Sequence, residues 1–368
     1  MGKTVVCVVF GGKSGEHEVS LMSATSILRE LDRQKFDVVS VGVAKSGKWY
    51  WVADPQEVLK LGYVPDGWGP EVVVRPGYGD CGFVLQEGGQ LTPVRVDVVF
   101  PVLHGTFGED GTVQGLLEMV GVPYVGAGVI GSAIGMNKVV SKKLFRQEGL
   151  PTAEFIVVSR RDLETRPDHV VRMVEEAFGY PCFVKPACLG SSVGVNKALD
   201  RGQLVEALGE AALYDSTILV EDAIEDIHEV ECSVLGNDAP LASCVGEIVP
   251  SDRFYSYRAK YIDGKSQILI PAPIPHKVAE TVREYAIRAF KAAGCCGMAR
   301  VDCFVRKSDY KVFINEINTI PGFTAISMYP KLWEHAGLKY PELLTELIRL
   351  AIECFEEKRK NRTSYQFG

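Results

Sequence analysis

Several features are scarce or missing in this 368-residue chain, and each absence removes a class of protein. Its ten cysteines contain no Cys-x-x-Cys pair and its six histidines show no zinc-finger spacing, so neither a zinc module nor a disulfide framework organises the sequence. Most of the cysteines are expected as reduced core residues. No early apolar run reaches membrane-spanning length: the longest, Thr4 to Phe10, runs into Gly11-Gly12 with no small-residue cleavage site, which predicts a cytoplasmic chain with no membrane partner. Neither sign of charge dominates. The 40 Lys and Arg are scattered among 47 Asp and Glu for a net charge of −7, so no basic surface for nucleic acid or anionic lipid is predicted. Internal repeats and low-complexity tracts are absent as well.

What remains is 46% hydrophobic and 24% charged, the balance of a packed globular enzyme, over a length that exceeds one ordinary core and predicts two or three domains. The first third alternates strand and helix. Thr4 to Phe10 reads as a buried strand and Val19 to Leu31 as a helix, followed by strands at Phe36 to Val43 and Val96 to Leu103, a helix at Val113 to Val120 and a short strand at Pro123 to Gly126. A small, mostly parallel sheet with covering helices follows from that alternation. Gly42 to Leu91 shows no clear period and is left unassigned. A helical stretch from Ile130 stops at Gly149-Leu150-Pro151, and a compact αβ unit follows, with strands at Pro181 to Lys185 and Thr217 to Glu221 around a helix near Gln203 to Tyr214. The remainder reads as a largely antiparallel sheet with helices at Lys277 to Ala293 and Pro341 to Glu357.

The strongest chemical signal is Arg300-Val-Asp302 with Glu316-Ile-Asn318. Each pair has the i, i+2 spacing that projects both side chains from one face of a strand. Asp302, Glu316 and Asn318 offer oxygens and no nitrogen or sulfur ligand, which suits magnesium carried in with a nucleotide, and Arg300 would meet negative charge. The bland alternative is an ordinary strand with a wet face. Thr319-Ile-Pro321-Gly322-Phe-Thr324 favours the chemical reading, because a strand ending in a Pro-Gly turn presents backbone N–H groups where an oxyanion could sit. Lys185 opens a loop, Lys-Pro-Ala-Cys-Leu-Gly190-Ser191-Ser192-Val-Gly194, whose composition can wrap a phosphate or simply make a flexible turn; it lacks the Walker pattern.

Gly11-Gly-Lys-Ser-Gly15-Glu-His-Glu18 follows the first strand, but this loop lacks Gly-x-Gly-x-x-Gly, which disfavours a nicotinamide site there. Glu18 is assigned to helix capping, and Glu16 is the functional candidate. His104, in Leu103-His-Gly-Thr-Phe-Gly-Glu109-Asp-Gly111, lies at a strand end where open α/β sheets bind ligands, although an isolated His is more often structural. Phe254-Tyr255-Ser-Tyr257-Arg-Ala-Lys260-Tyr261 has the composition of a lid and equally of an anchored surface loop.

Together these segments resemble the D-alanine:D-alanine ligases, in the order that family has them, from Gly11 to about Pro330. The resemblance rests on Gly-Gly-Lys-Ser-Gly-Glu-His-Glu-Val-Ser at 11 to 20, His-Gly-Thr-Phe-Gly-Glu-Asp-Gly at 104 to 111, Lys-Pro-x-x-x-Gly-Ser-Ser-x-Gly at 185 to 194, Phe-Tyr-x-Tyr-x-x-Lys-Tyr at 254 to 261, and Arg-x-Asp with Asn-Glu-Ile-Asn-Thr-x-Pro-Gly at 300 to 322. It implies a multidomain α/β and α+β fold: an N-terminal Rossmann-like parallel sheet over 1–128, then a two-domain ATP-grasp fold over 129–227 and 228–368, with a mobile loop at about 251–266. It implies ATP contacted by Lys138, Lys185, Glu221 and Glu229, and two magnesium ions, replaceable by manganese, on Asp302, Glu316 and Asn318. Glu16, Ser191 and Tyr261 would serve catalysis with Arg300 and the backbone of Gly322, while His104, Lys260, Ser327 and Met328 would bind substrate. Tyr261 points to an amine nucleophile, since family members making D-alanyl-D-lactate have Phe here or a rebuilt loop; a D-alanine:D-serine ligase is the alternative. Cys188 and Asn196 depart from the usual Asn and Ser. A homodimer is implied by the family alone.

Overall fold

The apolar run at the start of the chain becomes strand β1 (Thr4–Gly11), with Val6 to Phe10 fully buried, because both of its faces are covered. The computed structural model describes residues 2–77, 82–250 and 266–362. Helix α1 (His17–Glu30) follows β1, and β2 (Phe36–Val43) returns parallel to it. Then come β3 (Trp49–Trp51), α2 (Pro55–Leu61), β4 (Glu71–Val74), β5 (Phe83–Glu87), β6 (Gln90–Val94), β7 (Val98–Val102) and α3 (Thr112–Val120). The strands form one sheet in the order β6-β5-β4-β3-β2-β1-β7.

Only β2, β1 and β7 run parallel in this sheet; β3 to β6 extend it with antiparallel pairings. The sheet is therefore mixed where the sequence suggested a mostly parallel one, and β3, β4 and β5 of the antiparallel half lie within the stretch that showed no period. The expected strand at Pro123 to Gly126 is reduced to a single bridge between Tyr124 and Val99.

The helical stretch from Ile130 is two helices, α4 (Val129–Met136) and α5 (Lys138–Gln147). They part at Asn137, whose Oδ1 accepts hydrogen bonds from the N–H groups of Val139 and Val140, both at 3.1 Å. The cap makes Lys138 the first residue of α5. The chain continues through β8 (Phe155–Ser159), α6 (Arg160–Thr165), α7 (Pro167–Ala177), β9 (Cys182–Pro186), β10 (Asn196–Ala198), α8 (Arg201–Tyr214) and β11 (Thr217–Asp222), an antiparallel sheet ordered β10-β9-β11-β8 with its own apolar core.

The third sheet, ordered β14-β13-β12-β15-β16, is built from β12 (Ile227–Gly236), β13 (Leu241–Val249), β14 (Gln267–Leu269), β15 (Gly297–Arg306) and β16 (Val312–Asn318), with α9 (His276–Ala292) packed against it. Helices α10 (Met328–His335) and α11 (Tyr340–Arg359) close the chain. Leu343, Leu344 and Leu347 of α11 share one core with Val6, Phe10, Val98 and Phe100, so α11 is fastened to the first sheet. Phe323 sits at this joint, 5.9 Å edge-on from Phe100. Among the described residues nine cysteines are free, and Cys7, Cys182, Cys232 and Cys303 are buried. No described helix is long and apolar enough to cross a membrane.

Candidate active site

The joint between the three sheets leaves a cleft of about 320 Å³, and the spacing of polar residues along β15 and β16 determines what faces it. Arg300 stands opposite Asn318 and Asp302 opposite Glu316 in the antiparallel ladder, so the two i, i+2 pairs form one four-residue face. The Arg300 Nε and a terminal nitrogen each donate to Asp302 at 2.7 Å, and Asn318 Nδ2 donates to the same carboxylate at 3.0 Å. Sequence reasoning missed Glu231, which stands opposite Asp302 on β12 and lies 2.9 Å from Arg300 Nε. The available signal was the i, i+2 pair Glu229 and Glu231, of which only Glu229 was selected. Burial would lower the pKa of Arg300, but Asp302 first and Glu231 second hold it well above its ordinary value.

Across the cleft stand the lysines. Lys138 lies 3.3 Å from Glu316 and donates to the carbonyl of Leu189 at 2.7 Å. Lys185 pairs with Glu221 at 2.5 Å, and the other oxygen of Glu221 meets Lys142 at 2.6 Å. Lys142 was also missed; it sits four residues after Lys138 and thus on the same helical face, which was the usable clue. Burial alone would raise the Glu221 pKa, yet Lys142 and Lys185 bring it down to about 2. For Lys142 burial wins and lowers its pKa, with Glu221 opposing. Glu229 also lines the cleft.

At the far end, Glu16 immediately precedes α1 and accepts a hydrogen bond from Ser191 Oγ, joining the first glycine loop to the loop after β9. Ser191 and Ser192 adopt left-handed backbone, with φ of 50° and 58°, a conformation that non-glycine residues hold only where the surroundings impose it. Two glycines frame the Glu16 carboxylate: a Cβ on Gly105 would lie 2.5 Å from its Oε2 and one on Gly190 2.7 Å. Glu18, by contrast, is exposed and paired with Lys45 at 2.5 Å. His104 is buried, with Nε2 2.9 Å from Ser23 Oγ and Nδ1 3.2 Å from the Ile320 carbonyl. Burial lowers its pKa against the attraction of Glu16, so a neutral ring is favoured.

Glu109 accepts the N–H of Gly105 at 2.8 Å and lines the same end of the cleft. Burial, then the charge of Glu16, pushes its pKa up from 4.5 to about 8. The folded chain thus keeps a proton there that the unfolded chain releases above about pH 4.5, and stability falls as pH rises through the window from 4.5 to 8. Glu109→Gln is expected to match the parent in urea unfolding at pH 5 and to exceed it at pH 8 by roughly 1–2 kcal/mol. Equal differences at the two pH values would contradict a protonated Glu109.

Gly322 lines the cleft, and Ser327 stands next to it, its Oγ 2.7 Å from where a Gly322 Cβ would project. Ser327 Oγ accepts the Thr324 N–H at 2.9 Å. Ser327 precedes α10 and Met328 begins it, with the Met328 side chain buried among Ile248 and Leu332; neither residue is part of the cleft wall. Lys260 and Tyr261 lie outside the described residues. Asp302, Glu316 and Asn318 supply oxygen donors on one face, and no group of three or more His, Cys, Asp or Glu among the described residues is placed to hold a metal. The donor set therefore fits a hard cation that brings further oxygen ligands with it.

The matching family descriptions are "D-ala D-ala ligase N-terminus" over residues 5–127 and "D-ala D-ala ligase C-terminus" over residues 144–349. The chain is 47% identical to a D-alanine–D-alanine ligase of Acetivibrio thermocellus, covering 97% of this chain and 98% of that protein. It is 49% identical to one of Caldicellulosiruptor bescii, covering 99% of each. Among solved structures, the D-alanine-D-alanine ligase of Coxiella burnetii superposes with a TM-score of 0.84 at 37% identity, over 98% of this chain and 97% of that one. The VanG D-Ala:D-Ser ligase of Enterococcus faecalis superposes with a TM-score of 0.85 at 35% identity, over 95% and 100%.

Proposed function

The chain belongs to the D-alanine–D-alanine ligase family and is an ATP-dependent ligase, and we propose that it joins two D-alanine molecules into D-alanyl-D-alanine through a D-alanyl phosphate, supplying peptidoglycan precursors. The observation that supports this reading most directly is one cleft lined by the Arg300, Asp302, Glu316 and Asn318 ladder, by Lys138 and Lys185, and by Glu16 and Ser191. Oxygen ligands, phosphate-binding cations and a carboxylate for a substrate ammonium are the groups such a reaction needs together.

In this reading Lys138 and Lys185 bind the phosphates and Glu229 the ribose. Glu221, whose two oxygens are already spanned by Lys142 and Lys185, sets Lys185 at the nucleotide's edge. Asp302, Glu316 and Asn318 would hold two magnesium ions, for which manganese could stand in, and such ions would neutralise charge developing on the transferred phosphoryl group. Arg300 beside Asp302 and Lys138 beside Glu316 keep two positive side chains at the edge of this oxygen face, within reach of anionic substrate. Glu16 holds the first D-alanine's ammonium near a neutral His104 and, through Ser191, aligns the site for the second amine, which must lose a proton. Arg300 and the Gly322 N–H stabilise the tetrahedral oxyanion. Ser327 and the Met328 N–H, at the start of α10, take the second carboxylate. Lys260 and Tyr261 are assigned to the phosphate and to the second amine on the motif at 254–261. We also propose a cytoplasmic homodimer with unit boundaries near residues 128 and 227.

The test is phosphate release from ATP with magnesium, expected to rise strongly when D-alanine is added, followed by product analysis with D-alanine, D-serine and D-lactate in competition. No stimulation by D-alanine would reject the ligation, and a predominance of D-alanyl-D-serine would move the chain to that specificity. A more local check is Gly190→Ala. Its new Cβ would crowd the Glu16 carboxylate at 2.7 Å, so the KM for D-alanine should rise on the order of tenfold while that for ATP stays near parental. Parallel changes in both constants would detach Glu16 from D-alanine.

A further inference from the structure

Away from the cleft, Cys296 in the turn before β15 and Cys354 near the end of α11 bring their sulfurs to 3.5 Å although they are 58 positions apart. Both residues are half-buried. They open onto a separate recess of about 10 Å³ walled by Tyr124, Gly126 and Lys358, room for about one water-sized molecule. The surroundings are charged: Lys358 forms an ion pair with Glu118, and Asp238 adds negative charge at longer range. From this geometry we infer that Cys296 and Cys354 form a redox-modifiable dithiol, a site that small hydroperoxides convert to an intramolecular disulfide tying α11 to the turn that leads into β15.

Three observations carry the inference. The sulfurs need to close by only about 1.5 Å to reach the bonded distance of ~2.05 Å, a movement within the reach of side-chain rotation. The thiol of Cys354 is activated: its hydrogen bond with Cys296 brings its pKa down to about 7 against its burial, with help from Lys358 and opposition from Glu118 and Asp238. Cys296 is pushed the other way, by Cys354 and by burial, so the pair has one attacking and one resolving partner. Finally, both residues line the same small recess, which gives a small oxidant a route to the pair. The buried Cys7, Cys232 and Cys303 have burial-raised pKa values and no such opening.

The chemistry balances with one peroxide. The Cys354 thiolate attacks one peroxide oxygen, the O–O bond breaks, and hydroxide leaves and is protonated to water, giving a sulfenic acid. The Cys296 sulfur then attacks Cys354 Sγ, its proton going to the departing hydroxide, so that two thiols and one peroxide become a disulfide and two waters.

Full-length protein treated with about one equivalent of hydrogen peroxide should lose two thiols. Tryptic mass mapping should link the peptide 292–300 to the peptide 350–358. Cys295 lies in the first of these peptides, so the link should survive Cys295→Ser and vanish in Cys296→Ala and Cys354→Ser. Oxidation should raise the thermal midpoint of the parent by about 5 °C and leave that of Cys354→Ser unchanged. The reduced parent should also take up one equivalent of phenylarsine oxide, which bridges neighbouring thiols, and Cys354→Ser none. A disulfide confined to Cys295 and Cys296, two thiols lost from other positions, or a midpoint rise that persists in Cys354→Ser would each overturn the assignment. Unchanged ligation by reduced Cys354→Ser would show that the variant is folded.

Discussion

Glu316→Gln is expected to lower kcat by about 1000-fold or more, roughly 4 kcal/mol of transition-state stabilisation, while the chain stays folded. The substitution keeps the volume and one oxygen of Glu316 but removes the negative charge that, opposite Asp302, makes this face attractive to a divalent ion. The structural cost is small. Lys138 loses a partner at 3.3 Å but keeps the Leu189 carbonyl at 2.7 Å and lies at the wall of a solvent-reaching cleft, so about 1 kcal/mol or less should be lost from stability. Turnover is read as ADP release across a magnesium series, and folding as the thermal midpoint of the same preparation. A decrease below about tenfold at saturating magnesium, with the midpoint unchanged, would remove Glu316 from the metal-binding set.

What the sequence revealed of this site depended on how far each signal reaches along the chain. The ladder of Arg300, Asp302, Glu316 and Asn318 was legible because β15 is long enough to alternate, as the burial of Ala299 to Arg306 does, and because Glu316 and Asn318 keep the same i, i+2 spacing on β16. Glu231 and Lys142 were not legible. A buried charge makes sense only beside its partner, and theirs come from other elements: Arg300 on β15 for the first, Glu221 on β11 for the second. The antiparallel half of the first sheet escaped for a different reason. Strands of three to five residues, such as β3 and β4, are too short to display a period. For α11 the amphipathic spacing announced a buried face but could not say that Val6 and Phe100 would cover it. The Cys296 and Cys354 pair is hidden for the same reason, since the contact is made by tertiary packing.

The buried triad gives the second large effect. Glu221→Gln should destabilise the protein by roughly 3–5 kcal/mol, because it leaves Lys142, almost without solvent contact, and Lys185 facing each other without the carboxylate that pairs with both. Adding Lys142→Met should return about 2 kcal/mol or more of that loss, since an apolar side chain of similar length needs no counter-ion. The double variant is therefore expected to be more stable than Glu221→Gln alone, a sign that simple addition of two damaging changes would not produce. Acid titration offers an independent reading. The Glu221 pKa is depressed from 4.5 to about 2, so its contribution is complete above about pH 4.5 and disappears as the pH falls towards 2. The parent should lose on the order of 3 kcal/mol through that window from this group, and Glu221→Gln should show a correspondingly shallower loss. Additive effects of the two substitutions in urea unfolding, together with identical acid slopes, would mean that the Lys142, Glu221 and Lys185 contacts do not act as one electrostatic unit.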